Sequence, residues 1–340
     1  EIQFSATRIR IAQFQVLLVR DPTPPSTGGL LQGITDTLTN LLEQADAIVD
    51  DVTLAVQSVL SPLAIPLALS SVVGSVLSQA SGIWNSLVQS APQPLQSGMA
   101  PAQALLATGV SVPAVNTDTS YADAVTAALA AVPAAAVTAI TDPAASAVAP
   151  AQQVVGDAAQ SVDASTVVSM LLSAAVQTGA AADALSNTST MPGAALTLGV
   201  AARSLIVSQL LGAWGGLSFV SGADAVAARD QFISAIDALL ADLENAAAAG
   251  SSVALSGLWA SIQSSRMALM ADCSSQIGRL PRVVTIPLSA TLSGWILAYA
   301  VAGDDITQVQ GVFDDLVSRN GIGHPALVGP GNIQVLEQSA

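Results

Sequence analysis

The sequence has no lysine, one histidine (His324) and one cysteine (Cys273) among its 340 residues. Without lysine there is neither a Walker-type phosphate-binding loop nor a Schiff-base nucleophile. One histidine and one cysteine cannot form a His/Cys zinc cluster, and a single cysteine excludes an internal disulfide. No catalytic set is present. The sequence therefore predicts a protein that is not an enzyme and that carries no cofactor or metal.

Basic residues are scarce and all nine are arginines, against 24 acidic residues, so the formal net charge is −15. No basic residue lies between Arg20 and Arg203. Proteins attract phosphate backbones and anionic lipid surfaces through lysine and arginine. The charge therefore disfavours direct DNA binding by this chain.

Aromatic residues make up only 3% of the chain although 51% of residues are hydrophobic, most of them Ala, Val and Leu. Small helix-forming residues in this excess predict helices that pack at close range. The mean hydropathy of +0.60 would suit a membrane protein. However, no segment reaches the roughly 18 uninterrupted apolar residues of a membrane span. We therefore expect a self-associating protein with no membrane partner.

Residues 2–19 have the alternation of a β-strand, which stops at Asp21-Pro22. Ile9 and Ile11, for example, alternate with Arg8 and Arg10. An isolated strand pair is unstable in water. We therefore expect residues 1–20 to be a β segment that completes an N-terminal domain absent from this sequence, or a sheet of a neighbour.

A long helix is predicted after a cap at Ser26 or Thr27, ending at Ser61-Pro62. Its apolar positions are separated by alternating steps of three and four residues, which is a heptad pattern. Two interpretations are open. The stripe faces a local core, or it forms a coiled coil with other subunits, in which case Leu31, Leu38, Ala45 and Val52 are interaction residues. The full stripe is Leu31, Ile34, Leu38, Leu41, Ala45, Ile48, Val52, Ala55 and Val59.

The region 26–202 is predicted as an Ala-rich helical and irregular unit, because prolines divide it into short pieces. Residues 121–131 and 161–185 are expected to be helical, whereas 132–153 could be helical or extended. The region 203–280 is predicted as a helical hairpin, capped at Ser221 or Asp224 and ending at Gly278. Its apolar stripes are Ala225, Phe232, Ile236, Leu239 and Leu243, then Leu255, Trp259, Ile262, Leu269, Cys273 and Ile277.

Residues 283–337 have a strand–helix–helix–strand pattern. A strand at 283–286 precedes a helix at 291–302, and Asn320 and Gly321 end a second helix before the loop at His324-Pro325 and a strand at 333–336. The strands are expected to pair over a small core. For that core the first helix offers Leu292, Trp295, Ile296 and Tyr299. The spacing resembles that of a LysM module.

The same residues are similar, more narrowly, to the C-terminus of the phage Mu-type DNA circularisation protein family. The matching positions follow the predicted hairpin in the family's order, and residues 10–19 resemble the family's strand after its N-terminal domain. They are Leu297-Ala298-Tyr299, Gly303-Asp304, Leu316-Val317, Arg319-Asn320-Gly321, His324-Pro325, Gly329-Pro330-Gly331 and Val335-Leu336.

This resemblance implies a structural component of a contractile phage tail baseplate near the hub, assembled in the host cytoplasm. It would form a homo-oligomeric ring and contact hub, tube and wedge proteins, with Arg319, Asn320, His324 and Pro325 as candidate interaction residues. Two alternatives follow. The family name implies protection of injected DNA ends, and the LysM resemblance implies peptidoglycan binding. The Gly-Asp-Thr usual after the first LysM strand is replaced here by 288–291, which argues against glycan binding.

The predicted fold class is accordingly mainly α: helical bundle or coiled-coil segments, an N-terminal β segment, and a small C-terminal LysM-like βααβ module.

Overall fold

The structure is a computed structural model that describes residues 2–3, 13–14, 27–60, 67–90, 119–141, 164–303 and 305–337. Side chains are described for 37–60, 69–90, 121–134, 164–249, 255–303 and 305–337. Within these residues the chain is mainly α-helical with two small antiparallel sheets, so the predicted fold class is confirmed.

The N-terminal β segment contains two short strands, β1 (Ile2–Gln3) and β2 (Gln13–Phe14). They pair antiparallel, with Ile2 opposite Phe14. The remainder of the segment predicted at residues 1–20 lies outside the described residues.

The helices described before residue 280 share one hydrophobic core. They form a bundle in which α1 packs against three other helices, and α6 packs against α7 as a hairpin. The helices are α1 (Thr27–Leu60), α2 (Leu67–Ser90), α3 (Thr119–Thr141), α4 (Ala164–Thr188), α5 (Pro192–Trp214), α6 (Gly222–Ala246) and α7 (Ser252–Ile277). Of the ambiguous stretch 132–153, residues 132–141 are helical and the others lie outside the described residues.

Helix α5 is the centre of the bundle. It is buried on all sides and contacts α1, α2, α3, α4 and α6. A helix that is apolar around its whole circumference needs such an environment. Its one charged residue, Arg203, is 5% exposed and forms an ion pair with Asp242 of α6. Gly179 of α4 leaves room for this guanidinium, because a Cβ there would lie 2.7 Å from Arg203 Nη1.

By length and composition, α4 and α5 could each cross a membrane, with hydropathies of 1.3 and 1.6 over their most apolar windows. In the folded chain, 44% and 83% of those windows are buried. The core helices of a folded bundle have the same composition, so burial is a sufficient physical reason for the apolar character of α5.

The heptad stripe of α1 faces the core of the same chain. Leu41, Ile48 and Val52 are 0% exposed and Ala45 is 4% exposed. The carbonyl of Ala45 accepts a hydrogen bond of 2.9 Å from Ser208 Oγ of α5. For the described part of the stripe, these contacts favour the local core over a coiled coil with another subunit.

A buried carboxylate, Asp272 of α7, connects three helices. It is 0% exposed and accepts hydrogen bonds from Thr37 Oγ1 of α1 at 2.8 Å, Trp214 Nε1 of α5 at 2.7 Å and Gln276 Nε2 at 2.6 Å. A buried carboxylate is tolerated when its oxygens are hydrogen-bonded in this way. The neighbouring Cys273 is also buried, and this burial raises the pKa of its thiol.

The α6–α7 hairpin matches the prediction at residues 221–277 in most respects. Ser221 is the cap, since its Oγ accepts a 3.2 Å hydrogen bond from the Asp224 N–H. A π-helical turn joins the helices. Two predictions were wrong. Trp259, placed on the buried stripe, is 46% exposed. The boundary at residue 203 falls inside α5, whose two halves are buried in one core.

Two glycines of α5 provide a matched test of close packing between α4 and α5. A Cβ at Gly199 would overlap the methyl group of Ala182 on α4, whereas a Cβ at Gly212 has nothing within 4 Å. We expect Gly199→Ala to lower the free energy of unfolding by about 1–3 kcal/mol through overpacking. Gly212→Ala should raise it by about 0.5–1 kcal/mol, because alanine loses less conformational freedom in a helix. Urea denaturation of both variants checks this, and equal effects of one sign would contradict the packing described.

Candidate interaction surface

The C-terminal module is a strand–helix–helix–strand unit with its own core. Its elements are β3 (Val283–Leu288), α8 (Gly294–Ala302), α9 (Val309–Arg319) and β4 (Gly331–Leu336). The strands pair, as predicted, and they do so antiparallel with Ile286 opposite Ile333. The buried residues of this second core are Leu297, Leu316, Val328, Ile333 and Val335.

Both edges of the two-stranded sheet are interrupted. The Glu337 N–H donates to the Arg282 carbonyl at 2.7 Å, so the alternating register turns the N–H and C=O of Gln334 away from β3. Asn320 binds both groups, at 2.7 and 2.8 Å. On the other edge, Pro287 occupies an outward position where it has no N–H to donate.

Helix α8 presents an exposed apolar surface, which we call the aromatic face. It consists of Leu292 just before the helix and Trp295, Ile296 and Tyr299 within it, which are 37%, 48%, 60% and 58% exposed. These residues were predicted to form the module core, and this prediction was wrong. Every residue from Gly294 to Ala302 is apolar or aromatic, so no polar side chain indicated which side of the helix faces solvent.

The buried side of α8 is the opposite one. Leu297 is 7% and Ala298 0% exposed. At 100° per residue, Leu297 lies about 160° around the helix from both Trp295 and Tyr299, and the buried group Gly294, Leu297 and Ala298 is centred opposite the aromatic face. The sheet and α9 therefore cover one side of α8 and leave the aromatic face open to solvent.

The aromatic face is held rigidly and carries no charge. The ring of Trp295 stacks on Phe313 of α9 at a centroid distance of 4.2 Å and an interplanar angle of 12°. Gly294 permits this approach, because a Cβ there would lie 3.2 Å from Phe313 Cε2. No charged residue occurs between 291 and 302. Such a surface suits an apolar or aromatic partner surface rather than a charged one.

Of the four predicted interaction residues in the module, two hold its elements together and one is exposed. Asn320 also donates to the Leu316 carbonyl at 2.8 Å, so it holds the end of α9 against β4. The Pro325 carbonyl accepts a 2.8 Å hydrogen bond from the Gly294 N–H at the start of α8. His324 is exposed in the loop.

The fourth, Arg319, links the module to the bundle. It pairs with Asp315 at 2.9 Å and lies 3.6 Å from Asp224, near the start of α6. The hydrogen bond to Asp315 raises the pKa of Arg319, and Asp224 adds to this. A cleft of about 300 Å³ lies between the bundle and the module, lined by Val220, α9 and β4.

The four predicted interaction residues of α1 are placed differently. Ala45 and Val52 are buried in the core of the chain, and Leu38 is half-buried against it. The Leu31 side chain lies outside the described residues. The described part of this stripe therefore offers little free surface to another subunit.

Within the part of the chain that the structure describes, no group of three or more His, Cys, Asp or Glu side chains is placed to hold a metal ion. Comparison with known proteins adds no assignment: no family model matches the chain, and no curated protein matches it. The aromatic face is therefore the candidate site, on the strength of its geometry.

Asn320 provides a test of the module's internal support. Asn320→Ala removes hydrogen bonds to the Gln334 N–H and C=O and to the Leu316 carbonyl. We expect the module to lose about 1–2 kcal/mol of stability, because each hydrogen bond that is replaced by one to water contributes about 0.5–1.5 kcal/mol net. Hydrogen exchange at the Gln334 amide should accelerate. Asn332→Ala, an exposed residue of the same strand, is the control; equal protection of Gln334 in both variants would contradict the assigned role.

Proposed function

We propose that this protein is a structural component of a contractile phage tail baseplate, positioned near the hub, and that the aromatic face of its C-terminal module docks onto a neighbouring tail protein. The family resemblance at residues 10–19 and 297–336 supports the tail assignment. The single observation that carries the docking role is the aromatic face itself.

Exposed tryptophan and tyrosine are informative here because the chain contains only four and two of them. Single exposed apolar side chains are common on protein surfaces, but a contiguous group marks an interaction site. Trp and Tyr are also the residues that contribute most to binding energy in protein interfaces. Side chains already fixed by packing, as Trp295 is on Phe313, lose little conformational entropy on binding.

The bundle supports this role as a rigid base. Asp272 and the Arg203–Asp242 pair fix the central helices, and Arg319 connects this base to the module near Asp224. A docking surface on a rigid support fixes the position of one partner relative to another. A bracing component of a tail needs this property. The role in DNA-end protection is not proposed for this chain, because its charge of −15 opposes phosphate binding.

The docking role is tested with the triple variant Trp295→Ser, Ile296→Ser, Tyr299→Ser in the full chain. Ile296 and Tyr299 are 60% and 58% exposed, so replacing them should cost little stability, whereas Trp295→Ser also loses the stack on Phe313. Circular dichroism and the urea midpoint show whether the variant is folded. We expect the variant to fail to join tail particles in a complementation experiment. Val176→Ser, which removes a 62% exposed valine on α4, should assemble normally. If the triple variant joins tail particles as well as the wild type does, the docking role is refuted. If the purified wild-type chain stays monomeric and never joins tails, the tail assignment is refuted.

A second candidate function is glycan binding, because exposed aromatic rings such as Trp295 and Tyr299 have apolar faces that can stack on sugar rings. Against it, residues 288–291 replace the Gly-Asp-Thr that is usual after the first LysM strand. We expect the full chain to remain in the supernatant when mixed with purified peptidoglycan sacculi. Sedimentation of the wild type, abolished by Trp295→Ser, would replace the docking role with glycan binding.

A further inference from the structure

Helix α7 presents a second exposed apolar stripe, remote in sequence from the aromatic face. Trp259, Met267 and Met270 are 46%, 64% and 41% exposed. Their spacing of eight and three residues places them on one side of the helix. The neighbouring side of the helix is buried against the bundle through Leu258, Ile262 and Leu269. Exposed methionines form apolar surfaces that adapt to different partner shapes.

Three acidic residues of α6 run beside this stripe. Asp230, Asp237 and Glu244 are exposed and seven residues apart, so they form one row. The row lies on the α7 side of α6, because Asp237 pairs with Arg266 of α7 at 2.9 Å. The same arginine lies 3.8 Å from the Met270 sulfur. The acidic row and the apolar stripe thus form the two walls of one surface, which we call the hairpin groove.

The hairpin groove deepens at its Trp259 end. A depression of about 230 Å³ lies there, and its accessible lining is almost entirely apolar. The exposed residue Glu244 is part of its lining. The lining residues are Leu243, Glu244, Ala247, Leu255, Ser256 and Trp259. A depression of this size accepts one large apolar side chain of a partner.

We infer that the hairpin groove binds an α-helix of another protein, with an apolar stripe that covers Trp259, Met267 and Met270 and with lysine or arginine residues seven positions apart that face Asp230, Asp237 and Glu244. The row of acids spans 14 residues, which is about 21 Å of helix. A straight partner helix of three to four turns matches this length. Recognition of an amphipathic helix by an apolar groove is a recurring binding mode.

The charge of the groove favours a basic partner. Arg229 and Arg266 contact two of the three acids, yet the Asp230 and Asp237 side chains remain 62% and 51% exposed. Both carboxylates therefore still face solvent and an incoming partner. With a chain charge of −15, a basic helix is attracted and an acidic one repelled.

The partner is a different protein rather than a second copy. Each helix that the structure describes carries at most one arginine, and the chain has no lysine. No described helix of a second copy can therefore present basic residues at seven-residue intervals. The inference does not depend on the proposed tail function, because it uses neither the module nor the family resemblance.

The test measures binding of synthetic helices to the full chain by fluorescence anisotropy. One labelled peptide has leucines on one side and lysines at the flanking positions, and its twin has glutamates in place of the lysines. We expect the lysine peptide to bind at least about tenfold more tightly than the glutamate twin, with an affinity that falls as salt is raised. The double variant Met267→Ser, Met270→Ser should lose about tenfold in affinity, and Asp237→Asn with Glu244→Gln should lose severalfold and flatten the salt dependence.

Matched controls are Val176→Ser and Asp183→Asn, which remove an exposed valine and an exposed acid of α4 and should bind the lysine peptide as the wild type does. Circular dichroism confirms folding of every variant. Absence of binding by the lysine peptide, equal binding by its glutamate twin, or unchanged binding by the methionine variant would each overturn the inference.

Discussion

The burial of α5 on every side is the constraint on which the bundle depends. A helix without a polar face is stable in water only when other helices surround it, and five described helices do so. The only charge on α5, Arg203, must then find a partner inside the protein, and Asp242 of α6 provides it. Gly179 and Gly199 make the close approach of α4 to α5 possible, because neither position has room for a side chain. Core packing and internal electrostatics therefore follow from one apolar helix.

Because the core is built mainly from small residues, the positions of the few large side chains are informative. Trp84 and Trp214 are fully buried and fix the positions of helices, whereas Trp259 and Trp295 are about half-exposed. Each of the two exposed tryptophans lies among other exposed apolar side chains, one on α7 and one on α8. The two surfaces differ in charge: acids border the first, and no charge occurs on the helix of the second. This difference favours two different kinds of partner.

Hydrophobic periodicity predicted the elements whose two sides differ in polarity. Helices α1 and α6 alternate apolar and polar positions, and their described stripes are buried as expected, from Leu41 to Ala55 and from Ala225 to Leu243. The pairing of the two strands of the C-terminal module was also predicted, and β3 pairs with β4. These predictions were correct because a polar side chain recurs in every helical turn, or at every second residue of a strand. Its position shows which side of the element faces solvent.

The same reasoning failed for elements whose two sides do not differ in polarity. Helix α8 has no polar residue, so its buried side depended on the sheet beneath it and could not be read from the sequence. Trp259 fits an apolar stripe by spacing, yet the helices packed around α7 leave it partly uncovered. The boundary at residue 203 followed a change in composition that does not coincide with an end of α5. The tail assignment comes from motif resemblance and stays a proposal.

The interrupted edges of the β3–β4 sheet affect how several copies of the C-terminal module can lie close together. In the homo-oligomeric ring that the family resemblance implies, identical modules lie side by side at a high effective concentration. Open strand edges at such concentrations would pair with one another and lead to fibres or misregistered assemblies. Asn320 binds the outward groups of Gln334 on one edge and Pro287 removes a donor from the other, so neighbouring modules find two interrupted edges rather than two continuous ones. Many copies can then pack side by side as separate folded units. Their contacts are made by side chains rather than by pairing of backbone strands.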